Sequence, residues 1–220
     1  MSDAADWKPR FNPWIIAVAV MSGTFMEVLD TSVANVALPH IAGNMSATAE
    51  EATWVITSYL VANAIVLPLT GWISATFGRK NFLLVCIVIF TIASGLSGAA
   101  TSLSQLVFFR ILQGIGGGAM QPVAQSILLE SFPPNKRGQA MALYGVGVVV
   151  APILGPILGG WFTDNYSWRW AFYINIPVGF FAVMMTYIFI EDPPYLRQQK
   201  LGPADRWGFI FLVLWVSSLQ

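Results

Sequence analysis

Six apolar runs, each near the length of a membrane-crossing helix, constrain this chain more than any other feature of its sequence. A helix needs about 20 apolar residues to cross about 30 Å of hydrocarbon. Open strands would leave backbone groups without partners in lipid, so the runs must be helical. The sequence therefore predicts an all-α integral membrane protein. The predicted spans are residues 14–39, 53–76, 82–100, 103–132, 139–162 and 170–190.

The same runs divide the chain into four predicted segments. Residues 1–13 form a polar N-terminal segment, residues 14–190 a six-helix bundle, and residues 191–206 a polar loop. A further apolar run occupies residues 207–220, which would form only about 21 Å of helix. We expect this run to be the truncated start of a seventh helix, and the chain to be a fragment of a longer protein.

Composition excludes several classes of protein. Charged residues make up 10% of the chain, whereas a soluble domain carries about 25%, so most of the surface must contact a lipid bilayer. The net charge is +0, and no basic block predicts a nucleic-acid partner. The single His40 and the single Cys86 are far apart. With no clustered nucleophile, metal-ligand set or cofactor motif, we expect neither an enzyme, nor a metal site, nor a cofactor.

The basic residues indicate the orientation of the chain. Of its 11 Lys and Arg residues, only Arg110 and Arg169 lie away from one side of the predicted topology. Loops rich in Lys and Arg stay in the cytoplasm, so residues 1–13 and 191–206 are predicted to be cytoplasmic. The residues on this side are Lys8, Arg10, Arg79, Lys80, Lys136, Arg137, Arg197, Lys200 and Arg206.

Charged side chains inside a membrane are costly and mark candidate functional sites. On the first predicted helix, the polar residues fall within one sector about 140° wide, which predicts a face turned toward a bundle or a wet cavity. These residues are Thr24, Glu27, Asp30, Thr31 and Asn35. We expect Thr31 and Asn35, together with Gln113 of the fourth helix, to line a substrate cavity.

The fourth predicted helix carries Arg110, and its depth matches that of Asp30. Asp30 lies about 13 Å, and Arg110 about 10 Å, from the same face of the membrane. A buried arginine needs a carboxylate or several carbonyls around it. We therefore predict that Asp30 is a protonation site whose proton affinity depends on Arg110 and on access to water. Glu27 is a second candidate for proton coupling, or a group that recognises cationic substrates. The alternative is a static ion pair that only holds helices together.

Glycine and proline are concentrated in the fifth predicted span. The spacing of Gly155 and Gly159 favours close contact between membrane helices. Pro152 and Pro156 remove backbone donors and bend a helix. With the adjacent Gly160, these residues predict a tightly packed, bent seam about which groups of helices rock.

Four motifs, in this order along the chain, resemble a known family. It is the fourteen-helix drug:proton antiporter branch (EmrB/QacA type) of the major facilitator superfamily. The motifs are LDTSVANVALP at 29–39, RILQGIG at 110–116, APILGPILGG at 151–160 and WRWAFYINIPVG at 168–179. The third motif is found in exporters more than in importers. The second corresponds to a fourth-helix motif whose arginine, here Arg110, is implicated in proton transfer and which also contains Gly114.

The resemblance implies more than the residues alone do. It implies an N-terminal six-helix bundle, followed by linker helices and a C-terminal bundle, with substrate held between the bundles. It implies export of hydrophobic or cationic compounds across a bacterial inner membrane, driven by the proton gradient. For members in double-membrane bacteria it also implies a periplasmic adaptor and an outer-membrane channel as partners.

One further motif departs from the family pattern. The stretch GWISATFGRK at 71–80 is similar to the loop between the second and third helices. Ala75 stands where the superfamily usually has an aspartate, which contributes to a cytoplasmic charge latch. The turn and its positive charge remain in Gly71, Gly78, Arg79 and Lys80.

Two other functions stay open at this point. A carrier of the same fold could be proton-coupled and specific for one metabolite or siderophore. A membrane subunit without transport activity would belong to another class, although it would not need the polar stripe of the first helix.

Overall fold

In the computed structural model, which describes residues 9–193, the chain is a bundle of helices. The predicted polar loop from residue 194 onward, the seventh apolar run at 207–220 and residues 1–8 lie outside the described residues. The helices are α1 Pro13–Asn44, α2 Ala49–Val66, α3 Thr70–Phe77, α4 Arg79–Ala99, α5 Leu103–Gly117, α6 Met120–Ser131, α7 Arg137–Asn165, α8 Trp170–Tyr173 and α9 Asn175–Phe189. Short 3₁₀ turns at Leu67–Leu69 and Pro134–Lys136 precede α3 and α7. The predicted all-α membrane fold is confirmed.

Five segments of the described chain are long and apolar enough to cross a membrane as helices. They are Pro13–Asn44, Ala49–Phe77, Arg79–Ala99, Pro134–Asn165 and Trp170–Phe189. The fourth predicted span, 103–132, is instead two helices, because α5 ends at Gly117 and α6 begins at Met120. Pro122 has no N–H to donate to the Gly118 carbonyl, and a Cβ on Gly118 would lie 2.5 Å from the Asn63 carbonyl oxygen. The break thus combines a missing hydrogen bond with a close helix contact.

Proline also interrupts the sixth span, between α8 and α9. Pro177 cannot donate to the Tyr173 carbonyl, and the helix is interrupted at Ile174. Asn175 is the first residue of α9 and is completely buried. The interruption therefore brings a polar side chain into the bundle near the start of this span.

Helix α1 lies at the centre of the bundle and packs along α7, α9, α6 and α2. A Cβ on Gly155 of α7 would collide with Ser32 of α1, and one on Gly159 would lie 3.1 Å from Val36 Cβ. The Ser32 hydroxyl donates to the Pro152 carbonyl at 3.1 Å, which Pro156 cannot engage because it lacks an N–H. In contrast, a Cβ on Gly160 would meet nothing within 4 Å. Two glycines and a serine thus let α1 and α7 approach closely despite the prolines.

The two ends of the bundle differ in charge. We call the end that holds the clustered basic residues the basic end. These residues are Arg10, Arg79, Lys80, Lys136 and Arg137, and the same end also holds Glu130, Glu191 and Asp192. The other end holds Glu50, Glu51, Asp164 and Arg169. This distribution follows the one predicted from the sequence.

Candidate functional site

Asp30 and Arg110 form an ion pair in the middle of the bundle. Arg110 Nη1 donates to Asp30 Oδ2 at 2.6 Å and to Gln113 Oε1 at 2.8 Å. Gln113 Nε2 in turn donates to Asp30 Oδ1 at 2.9 Å. All three side chains are fully buried. The residues of α1 and α5 that the sequence placed at one depth are therefore in direct contact.

The guanidinium group of Arg110 has further partners on α2 and α8. Its Nε donates to the Val55 carbonyl at 3.0 Å. Its Cζ lies 4.3 Å from the centre of the Tyr59 ring and 5.6 Å from that of Phe172. Aromatic faces attract a planar cation, most strongly where water is excluded. Arg110 is thus held by contacts from four helices, α1, α2, α5 and α8.

Two polar residues that the sequence analysis missed complete this site. Asn175 Nδ2 donates to Asp30 Oδ1 at 2.6 Å and to Ser94 Oγ at 2.8 Å. The Ser94 hydroxyl donates to the Phe172 carbonyl at 2.9 Å. The available signal was Asn175 itself, a polar residue two positions before a proline in an apolar helix. We call the five residues Asp30, Ser94, Arg110, Gln113 and Asn175 the Asp30 network.

Glu27 lies outside the Asp30 network and lines an open cavity of about 470 Å³. Its Oε1 accepts hydrogen bonds from Asn63 Nδ2 at 3.2 Å and from the Tyr59 hydroxyl at 3.5 Å. Tyr59 therefore touches both groups, with its hydroxyl on Glu27 and its ring on Arg110. The cavity is lined by Glu27, Val28, Thr31, Ser32, Asn35, Tyr59, Leu60, Asn63, Gln121 and Pro152.

The structure separates the predicted cavity residues. Thr31 and Asn35 line the cavity, where the Asn35 amide donates to the Thr31 carbonyl at 2.8 Å. Gln113 does not, because its amide joins Asp30 to Arg110 in the sealed interior. Asn63 and Gln121 also line the cavity and were not predicted, because their helices show no stripe of polar positions. Among the cavity-lining residues, Glu27 is the one Asp, Glu, Lys, Arg or His side chain.

A second group of charges lies at the basic end, around the start of α4. Arg79 forms an ion pair with Glu130 of α6, and both side chains are about one-fifth exposed, at 21% and 23%. Asp192, which follows α9, accepts a hydrogen bond from the Lys80 backbone N–H at 2.9 Å. The Lys80 ammonium group donates to the Tyr187 carbonyl at 2.7 Å. We call Gly78, Arg79, Lys80, Glu130 and Asp192 the basic-end cluster.

Gly78 makes the basic-end cluster possible. Its φ is +85° and its ψ 147°, a backbone conformation that side chains with a Cβ rarely adopt. A Cβ at this position would also collide with the Asp192 carboxylate. Gly71 differs, since a Cβ there would meet nothing within 4 Å. Although Ala75 supplies no carboxylate, Glu130 and Asp192 bring two to this site.

Gly114 of the fourth-span motif marks where α5 meets α2. A Cβ on Gly114 would collide with the Tyr59 carbonyl oxygen and lie 2.8 Å from Ala62 Cβ. This close approach places Tyr59 against Arg110, one turn away. Gly114 therefore supports the geometry of the Asp30 network.

Comparison with known proteins agrees with this architecture. Residues 20–218 match the family model described as Major Facilitator Superfamily. The chain belongs to the major facilitator superfamily.

Relatives with more than 40% sequence identity are named as export or resistance proteins. The chain is 44% identical to the multidrug export protein EmrB of Haemophilus influenzae and 45% identical to that of Escherichia coli. It is 43% identical to the fatty acid resistance protein FarB of Neisseria gonorrhoeae. These matches cover 94%, 94% and 93% of the chain but 40% of each relative. The chain thus spans about two-fifths of the length of the curated relatives that it matches.

Solved structures share the fold at low sequence identity. The proton:xylose symporter XylE has a TM-score of 0.77 and 17% identity, over 94% of this chain and 51% of the symporter. A bacterial homologue of the human lysosomal transporter Spinster has a TM-score of 0.67 and 22% identity, over 88% of this chain and 46% of that protein. These likenesses establish the fold alone.

Proposed function

We propose that this chain is the N-terminal half of a drug:proton antiporter that exports hydrophobic, often cationic compounds. The separation of two carboxylates carries the proposal. Both lie on α1 and are largely buried, but Asp30 is 0% exposed and paired with Arg110, whereas Glu27 is 6% exposed and borders an open cavity. An antiporter needs one group that exchanges protons and one surface that receives substrate, and this arrangement supplies both.

Asp30 is the proton-coupling residue in this mechanism. A carboxylate paired with a buried arginine is stabilised in its charged form, and separation of the pair favours proton uptake. Arg110 stays charged throughout because a guanidinium group does not lose its proton in proteins. A helix movement that changes the distance between Asp30 and Arg110 would therefore bind or release a proton.

Glu27 selects the charge of the substrate. The cavity combines one carboxylate with amides, hydroxyls and apolar side chains. A lipophilic cation would find attraction at Glu27 and apolar contact at Val28, Leu60 and Pro152. The second bundle, by the family's design, would close the open side of the cavity.

The membrane setting follows from the family and the charge distribution. The basic end faces the cytoplasm, in agreement with the positive-inside rule. We place the protein in a bacterial inner membrane, with the N-terminus in the cytoplasm. The resemblance to EmrB-type exporters supports a periplasmic adaptor and an outer-membrane channel as partners. The ion pair between Arg79 and Glu130 contributes to closure of the cytoplasmic side. Groups of helices rock about the tightly packed contact between α1 and α7 at Gly155 and Gly159.

The test is efflux of a fluorescent lipophilic cation from cells that lack their own pumps and express the full-length gene. We expect efflux that a protonophore abolishes, and its loss in Asp30→Asn at equal expression. Asp164→Asn, at an exposed position of α7, is the matched control and should transport normally. Efflux that persists in Asp30→Asn would remove Asp30 from proton coupling. No efflux of any cation would favour a carrier specific for one metabolite.

Glu27→Gln separates substrate recognition from coupling in the same cells. We expect export of cationic compounds to fall at least tenfold, while export of a neutral compound continues with its protonophore sensitivity. Equal loss of both activities would assign Glu27 to proton coupling instead.

A further inference from the structure

Asp30 accepts three hydrogen bonds within the Asp30 network. Uptake of a proton changes which hydrogen-bond partners its carboxyl group requires. Its partners are Arg110 on Oδ2, and Gln113 and Asn175 on Oδ1. A carboxylate only accepts hydrogen bonds, whereas a protonated carboxyl group also donates one. Because Asp30 is fully buried, its new hydroxyl needs an acceptor within the bundle.

Two of the three donors are unable to become that acceptor. Arg110 has no acceptor atom. Gln113 uses both ends of its amide, since Oε1 accepts from Arg110 at 2.8 Å and Nε2 donates to Asp30 at 2.9 Å. Rotating the Gln113 amide would turn its NH₂ group toward the guanidinium group, with two donors facing each other.

Asn175 is different because one end of its amide is uncommitted. Its Oδ1 is buried and has no hydrogen-bond partner among residues 9–193. Its Nδ2 serves Asp30 and Ser94. A half-turn of this amide would exchange the positions of its two ends, bringing Oδ1 to the Asp30 hydroxyl and the NH₂ group to the place that Oδ1 holds now. Ser94 would allow the turn, because a hydroxyl group both donates and accepts.

We propose that Asn175 is a positioning residue whose hydrogen bond to Asp30 reverses direction when Asp30 takes up a proton. The proposal rests on the proposed function. In the ionised state the Asn175 amide donates to Asp30, as observed. In the protonated state the amide has turned, Asp30 donates to Oδ1, and Ser94 donates to Oδ1 as well. One proton from water binds Asp30, and no other covalent bond changes.

The reversal of the Asn175 hydrogen bond also links protonation of Asp30 to the break between α8 and α9. In the ionised state, the Ser94 hydroxyl donates a hydrogen bond to the Phe172 carbonyl of α8 and accepts one from the Asn175 amide. When Ser94 turns its hydroxyl toward Asn175, it releases this carbonyl next to the break between α8 and α9. Proton uptake therefore changes a contact between α4 and the interrupted sixth span.

Few charged or titratable groups face Asp30. They are Arg110 of α5, Tyr59 of α2 through its contact with Arg110, and Glu27 on α1 itself. Ser94 of α4 and Asn175 of α9, which complete the Asp30 network, carry no charge. Tyr144 of α7 reaches Thr24, six residues earlier on α1. These surroundings stay the same when Asn175 is replaced.

The experiment is infrared difference spectroscopy of the purified full-length protein across a pH series. Asp30→Asn identifies the carboxyl band of Asp30. In Asn175→Leu, we expect half-protonation at a pH about one unit higher, since a hydrogen bond to a charged acceptor is about twice as strong as a neutral one. The carboxyl C=O band should also move to higher wavenumber, because the hydroxyl has lost its acceptor.

Ser94→Ala provides a milder second variant, and two substitutions serve as controls. Ser94 has two hydrogen bonds in the ionised state and one in the protonated state, so its loss should shift the midpoint in the same direction by less. Ser97→Ala removes a buried hydroxyl that bonds only to its own helix at Ala93. Thr186→Val removes a buried hydroxyl from α9. Neither control should move the Asp30 midpoint.

The outcomes separate this proposal from the proposed function. If the wild type exchanges protons and drug but Asn175→Leu leaves the midpoint and the band unchanged, the reversal does not occur. If Asn175→Leu does not fold, an unchanged Asp30 midpoint in Ser94→Ala would likewise show that the reversal does not occur. If Asp30 titrates with the expected shifts although the wild type exports nothing, the network is supported and the exporter assignment fails.

Discussion

Among residues 9–193, the bundle contains two ion pairs, and they differ chiefly in their access to water. Asp30 and Arg110 are both 0% exposed, and side chains or carbonyls supply their neighbours. Arg79 and Glu130 are about one-fifth exposed, so water shares in their solvation. Removing one partner of a sealed pair strands a charge at a cost of about 3–5 kcal/mol. A solvated pair contributes only about 0–1 kcal/mol. The Arg79–Glu130 pair can separate because water solvates both charges. The Asp30–Arg110 pair can separate only when a proton neutralises Asp30.

The largest expected effect is on stability when each pair loses its carboxylate. Asp30→Asn should lower the free energy of unfolding by about 3 kcal/mol or more, because Arg110 keeps its charge. Glu130→Gln, the matched change, should cost about 1 kcal/mol or less. Thermal unfolding of the full-length protein in one detergent measures both. Adding Arg110→Met to Asp30→Asn should recover part of the loss, and equal losses in the two single variants would remove the distinction.

An intermediate effect is expected from the backbone that supports the basic-end cluster. Gly78→Ala should destabilise by about 1–3 kcal/mol, since Gly78 occupies a region that favours glycine and Asp192 fills the space of a Cβ. Gly71→Ala, on the preceding helix, should be neutral or slightly stabilising. The same thermal measurement compares the two. Similar losses at both positions would show that the cluster does not depend on the Gly78 conformation.

The smallest effect is the salt dependence of the Arg79–Glu130 pair. A double-mutant cycle with Arg79→Gln and Glu130→Gln should give a coupling energy of about 1 kcal/mol or less. Between about 0.1 M and about 1 M salt, this coupling should fall toward zero because the screening length shortens. The cycle for Asp30→Asn and Arg110→Met should hardly change. Salt sensitivity at the sealed pair would mean that water reaches it.

Most membrane spans could be predicted from the sequence because the bilayer constrains the length and apolarity of each helix separately. Length and apolarity identify spans without knowledge of their neighbours. Counting residues from a common membrane face was enough to place Asp30 and Arg110 level, and they are in contact. The interruption of 103–132 was missed, because Pro122 acts through the local backbone and the four nearby glycines act through contacts with α2 and α4.

The sequence by itself determined that this chain crosses a membrane, which helices carry charge and at what depth, because lipid penalises every exposed polar group. Only the tertiary structure decided that Glu27 borders a cavity while Asp30 is sealed. Three residues apart on a helix, they point about 60° from each other, so the neighbouring helices decide which one borders the cavity. Asn175 joins Asp30 across a sequence separation of 145 residues, a pairing that depends on how α9 packs against α1.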